Sequence, residues 1–429
     1  MNYDNNNQHF FNLNFKDKTF WKIFFLVNLI ILFLVIYYGP RGYMYMPTIE
    51  YFSISAPSNI GYRPIGYPLI LYTLSLFFKS ELLVYLAIYL NGIFFSFIYS
   101  TICLIAKKNN SGNFINYSIF FIFLCPLFYE VFVIRETLFY AFLLLVIILN
   151  FERWKNINFL YGFLLGLLYI TRPTGIVGIL SFSAITFFLM IFKKEKNFKY
   201  FNRVFIAFLI TIIPWITILY FKYNHFLPTG SCTGYLNIFK GLSSIKSNAY
   251  FFADVDGIDK FLGPRSNLGC ANINYYKNLT LELINNYSFF DLIKSFIYKF
   301  LLIFFSYPPI GTADLVLSDN FEIIVKNFKV SIFRVFVSIV GMTLGSLFLF
   351  VMIKRFYLRI YTKIDFFLIF ICLGHLTIYS ITFPEARFRF PIDVFLIIYL
   401  LFPIDKNDNL KNIFLFIKIL INKKIKNFF

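Results

Sequence analysis

INFLYGFLLGLLYITRPTGIVGILSFSAITFFLMIF, residues 157–192, holds two apolar runs separated only by Arg172-Pro173. A helix that crosses a bilayer needs about 20 apolar residues; the run 174–192 approaches that length and 157–171 is short, so length alone does not decide. Proline cannot continue a helix, and it moves the residue before it toward extended backbone. Arg172-Pro173 therefore ends one helix and starts the next. Basic residues flank the pair, with Lys155 before it and Lys193-Lys194 after it. Membrane proteins keep such residues in the cytoplasm, which puts the Arg172 turn on the opposite side.

The rest of the chain has the same character. Of 429 residues, 59% are hydrophobic and only 14% charged, against about 25% charged in a soluble domain. The mean hydropathy is +0.71. These values exclude a soluble enzyme or a nucleic-acid-binding domain, so the net charge of +19 is read as lysine and arginine retained in cytoplasmic loops. The 63 Phe and 31 Tyr, alongside abundant Ile, Asn and Lys, fit an AT-rich coding sequence that fills lipid-facing positions.

Further apolar runs cover 21–38, 82–106, 115–131, 135–150, 203–221, 331–353, 364–382 and 391–404. Two others, 65–78 and 293–306, are short and suit re-entrant or interfacial helices. If those two do not cross, ten spans remain and both termini are cytoplasmic. The cytoplasmic segments then hold 22 of the 40 Lys and Arg, and the short outer loops hold seven. Six of the seven are arginine (Arg41, Arg63, Arg135, Arg172, Arg387 and Arg389), whereas only four of the 22 are. The planar guanidinium fork grips phosphate or carboxylate oxygens with two bonds, so arginine gathered on one face points to an anionic ligand there.

The expected fold is all-α: a polytopic membrane protein of about ten transmembrane helices with short interfacial helices. A disordered cytoplasmic N-terminus (1–19) precedes a transmembrane core (20–221), whose first outer loop is 39–81. An extracytoplasmic loop region with an interfacial helix (222–330) leads to the C-terminal spans (331–404). A basic amphipathic tail (405–429) lies on the cytoplasmic lipid surface.

Four motifs lie in the outer segments in a telling order. Glu50 precedes Arg63-Pro64-Ile65-Gly66-Tyr67-Pro68; Glu136 follows Arg135 in RETLFY; GFLLGLLYITRPTG occupies 162–175; and Arg387-Phe388-Arg389-Phe390-Pro391 follows Glu385. In this the chain resembles the GT-C superfamily of membrane glycosyltransferases, such as protein O-mannosyltransferases and lipid A aminoarabinose transferases. The resemblance covers roughly residues 20–405, although 222–330 matches no landmark. One departure stands in the first loop. With Tyr51 or Phe52 aligned to the family's aromatic, Pro47 or Thr48 occupies the place of the catalytic acid, and Glu50 comes one to three residues later. Either the register shifts and Glu50 serves, or the acid is missing.

The resemblance implies transfer of a sugar from a polyprenyl-phosphate donor to a glycan, lipid or protein acceptor, outside a bacterial inner membrane. Such a reaction needs a carboxylate to take the acceptor's proton and positive charge aimed at the departing phosphate. Glu50 fits the first role, with Glu136 as second acid. Arg172, Arg387 and Arg389 fit the other, with Arg63 and Arg135 nearby. Some members of the superfamily use a divalent cation, but no clustered metal-ligand pattern is present and no metal is assigned. Cys232 and Cys270 share the extracytoplasmic region, where a disulfide would close a loop of about 38 residues and stabilise it by a few kcal/mol. Acceptor recognition is expected in 222–330. His375 reads as a hydrogen-bonded helix contact. Two rival classes are a polysaccharide polymerase or ligase and a flippase-type transporter of lipid-linked glycans; the second predicts internal repeats and charges deep in the spans.

Overall fold

A computed structural model describes residues 16–38, 64–108, 158–192, 198–224, 226, 234–246, 273–305, 322–325, 328–357, 363–382 and 386–401. The helices are α1 (Lys18–Tyr38), α2 (Gly66–Ser75), α3 (Ser80–Lys108), α4 (Asn158–Thr171), α5 (Ile176–Phe192), α6 (Phe198–Tyr223) and α7 (Gly234–Lys246). They continue with α8 (Ile273–Asn286), α9 (Phe289–Phe305), α10 (Ile332–Tyr357), α11 (Lys363–Ile381) and α12 (Ala386–Leu401). A 3-10 turn, Pro173–Gly175, joins α4 to α5. Just before α10, β1 (Glu322–Val325) and β2 (Phe328–Ser331) pair antiparallel with Val325 opposite Phe328. Apart from this ribbon the described residues are helical, as expected of an all-α chain; only two residues separate strands containing Ile, Val and Phe, the spacing of a hairpin. The runs 115–131 and 135–150, the N-terminal 15 residues and the tail 405–429 lie outside the described residues.

Three helices among the described residues are long and apolar enough to cross a membrane by length and composition: Tyr85–Lys107, Phe198–Tyr223 and Ile339–Tyr357. The outward surface agrees. On α1, Phe25, Leu29 and Phe33 form a stripe at helical spacing, each more than 60% exposed, while Phe20, Val27 and Ile31 are buried. Water would penalise a stripe like that, whereas lipid accepts it. The protein is thus a helical, membrane-associated one.

Since lipid is as apolar as leucine, close packing rather than the hydrophobic effect must hold such helices together. Gly162 and Gly166 illustrate it. A Cβ on Gly162 would lie 2.1 Å from the Val204 carbonyl oxygen, and one on Gly166 2.4 Å from Thr211 Cβ. The small residues of GFLLG thus bring α4 directly onto α6. At the far end of α6, Asn224 closes the helix with φ 53°, and its N–H donates to Tyr220 O at 2.8 Å. Asparagine tolerates that left-handed conformation at a helix end.

The C-terminal helices pack around α11, and contacts along its length fix two ends. Beside its first turn, Arg355 of α10 pairs with Asp365, both side chains being at most 5% exposed, and the guanidinium lies 4.5 Å above the Tyr399 ring of α12. Beside its last residues lie Thr174, Gly241 and Lys299. From Lys299, α9 continues for about 9 Å, and Phe304 packs on Phe348 of α10 at 6.1 Å. It thus enters from the Arg172 end and stops near the middle of α10. Ser288 and Asp291 cap its start reciprocally, with Asp291 N donating to Ser288 Oγ at 3.2 Å and Ser288 N to Asp291 Oδ2 at 3.3 Å. This capping box begins the helix four residues ahead of the apolar run that starts at 293.

Candidate functional site

The described part of the site is built where α4 turns into α5. Arg172 leaves the helix in extended conformation (φ −152°, ψ 130°), as a residue before proline should. The turn is tied by Arg172 N donating to Leu168 O at 3.0 Å and Gly175 N donating to Arg172 O at 2.8 Å. Its side chain is not spread on the surface. Arg172 is 5% exposed, and its guanidinium lies 5.5 Å from the centroid of the Tyr379 ring on α11. A partly desolvated cation over an aromatic face gains about 2 kcal/mol. The Tyr379 hydroxyl donates in turn to Thr174 Oγ1 at 3.4 Å. One turn earlier on α11, the His375 ring stands 6.0 Å from Tyr379 and 5.7 Å from Phe395 of α12, with Nδ1 2.9 Å from Ile371 O.

The motif RPIGYP meets the same turn from the other side. Gly66 begins α2 with its Cα facing the last residues of α4; a Cβ there would lie 2.7 Å from Thr171 Oγ1 and 3.0 Å from Ile170 O. Tyr67 and Pro68 are buried beside it. Ile65 and Ile170 pack on Trp215 and Leu219 of α6 and Ile273 of α8. Two motifs about a hundred residues apart in sequence therefore share one contact surface, with Arg172 the next residue along the chain.

The third contributor is the end of α11 and the start of α12. Arg387 and Arg389 stand in the first turn of α12, close after the residues that hold Arg172. Their side chains lie outside the described residues, as do Glu50, Arg63, Arg135, Glu136, Cys232 and Cys270. Pro391, inside α12, has no N–H to offer the Arg387 carbonyl.

Three further groups were not singled out from the sequence. Tyr379 carries the Arg172 guanidinium. Asp393, half a turn before Phe395, is fully buried; an ionisable residue within an apolar run was its sequence signal. Lys299 is likewise buried in the middle of α9. Among the described residues no three His, Cys, Asp or Glu side chains gather as metal ligands.

At the other end of the molecule, Lys107 Nζ lies 2.8 Å from Asp17 Oδ2. The Lys107 hydrogen bond, followed by the Thr19 amide, holds the Asp17 carboxyl down at about 2.

No protein-family model, no curated protein and no solved structure matches the chain.

Proposed function

We propose that the chain is a membrane glycosyltransferase that moves a sugar from a polyprenyl-phosphate donor to an extracytoplasmic glycan, lipid or protein acceptor. In this reading ten helices span a bacterial inner membrane, both termini are cytoplasmic, and the Arg172 end of the bundle faces outward. The observation that carries it is the meeting of sequence-distant motifs at one end. Gly66 of RPIGYP rests on the α4 backbone just before Arg172, and Arg172 reaches the α11 turn that precedes Arg387 and Arg389.

The chemistry follows from what such a site can hold. The donor's prenyl chain lies among the lipid-facing helices and its phosphate sits at the boundary among Arg172, Arg387 and Arg389, with Arg63 and Arg135 beside them. The Glu50 carboxylate takes the acceptor hydroxyl's proton as the oxygen attacks the anomeric carbon from the face opposite the phosphate. The bond from anomeric carbon to phosphate oxygen breaks, its electron pair leaves with polyprenyl phosphate, and the configuration inverts. The arginines stabilise the charge that grows on the leaving phosphate. Glu136 orients the acceptor or Glu50.

The test is to incubate the purified protein in lipid nanodiscs with a panel of polyprenyl-phosphate sugars and to measure released polyprenyl phosphate. Wild type should turn over at least one donor, and Glu50→Gln should lose activity by about 10²–10⁴-fold, the usual worth of a general base. Full turnover by Glu50→Gln would remove the assigned base. No turnover with any donor would shift the reading to a polymerase or ligase.

A further inference from the structure

Lys299 sits in the middle of α9 with 1% of its surface exposed. Its ammonium donates to Gly241 O of α7 at 2.5 Å and to Thr382 O, just past α11, at 3.1 Å. These partners are 58 and 83 residues away in the chain. The backbones of α7 and α11 touch where Lys299 joins them: a Cβ on Gly241 would lie 2.0 Å from Thr382 O. Burying an ammonium costs several kcal/mol unless hydrogen bonds and charge compensate it. Among the described residues no carboxylate pairs with Lys299. Its compensation is two backbone carbonyls, Thr382 O just past the C-terminus of α11, where the dipole favours a cation, and Gly241 O within α7. Methionine would fill the same volume without that cost, but it could not bridge two carbonyls.

We propose that Lys299 is a positioning residue that pins α7, and with it the 222–330 region, to the outer end of α11, from which the chain leads into Arg387 and Arg389. α7 is itself bound to α8, since Leu236 and Phe239 pack with Tyr276 and the Tyr287 hydroxyl donates to Leu242 O at 3.1 Å. The pin thus fixes a helical pair, expected to face the acceptor, against the arginines expected to hold the donor phosphate. This role rests on the transferase reading; the pin itself does not.

The experiment compares the full-length protein in nanodiscs with Lys299→Met, which keeps the stem and loses the donors, and Lys299→Arg, which keeps donors and charge. Hydrogen exchange is followed in 234–246 and 376–382, with 158–171 as internal reference. Lys299→Met should exchange about tenfold faster in 234–246, the worth of a lost hydrogen bond from a charged group, with 158–171 unchanged and Lys299→Arg restoring protection. In the polyprenyl phosphate release assay, Lys299→Met should raise the donor KM about tenfold while kcat stays within about twofold. Wild-type exchange in Lys299→Met would overturn the proposal. If Lys299→Met fails to insert, Lys299→Arg decides: retained protection supports the pin, and its loss overturns it. If wild type turns over no donor, the transferase reading fails while the exchange result still judges the pin.

Discussion

Replacing Gly66 by alanine tests whether the contact between RPIGYP and the α4 end sets the position of Arg172. The new Cβ would lie 2.7 Å from Thr171 Oγ1 and 2.9 Å from Thr171 Cα. Ordinary contact begins near 3.4 Å, so α2 and the α4 end must part by roughly 0.7 Å. Overpacking of this kind costs about 1–3 kcal/mol, and alanine returns up to about 1 kcal/mol of helix propensity. The net loss of stability is therefore about 0–3 kcal/mol. Catalysis is far less tolerant, because a misplacement near 1 Å costs about 10²-fold. Gly66→Ala should lower kcat/KM for polyprenyl phosphate release about a hundredfold while the protein stays folded. Gly92→Ala is the control. Its Cβ would meet Ile31 Cγ2 at 2.5 Å on the α1–α3 seam, giving a comparable clash away from Arg172. Equal activity in the two variants would refute the reasoning.

Two further predictions concern the opposite end. Arg355→Met takes the buried cation away from the Asp365 carboxylate and should cost about 3–5 kcal/mol in equilibrium unfolding in mixed micelles, whereas Arg355→Met combined with Asp365→Leu should fall within about 1 kcal/mol of wild type. A single variant as stable as the double one would count against the buried pair. The Asp17 carboxyl is held at about 2, below its ordinary 3.8, so its bond to Lys107 stabilises the fold above pH 3.8 and is lost as pH falls toward 2. Both side chains are partly exposed, so Asp17→Asn should cost less than about 1 kcal/mol at pH 7, and the difference should vanish on acidification through that window.

Hydropathy located most of the helices because a helix surrounded by lipid and other helices must be apolar over most of its length. It gave less where polar residues share the surface. Helices α7 and α8 carry their apolar residues on one face, so no run marks them, and 222–330 reads as a loop although much of it is helical. The last span was expected from Pro391, yet α12 begins at Ala386, because a proline near a helix start removes one bond without ending the helix. The Arg172 turn was legible because Pro173 dictates the backbone before it. The partners of that turn were not. Tyr379 looks like any aromatic in an apolar run, and only packing brings it over from about two hundred residues away. Asp393 and Lys299 did carry a signal, a charge inside an apolar stretch, which length and loop counting pass over.

Sidedness is the claim on which the account stands. Single cysteines at Phe226, beyond the α6 end that packs near Ile170, at Glu385 and at Lys194 in a background without native cysteines can be probed in intact cells with a membrane-impermeant maleimide. Labelling is expected at 226 and 385 from outside, and at 194 only after permeabilisation. Labelling of 226 and 385 from opposite sides would contradict it.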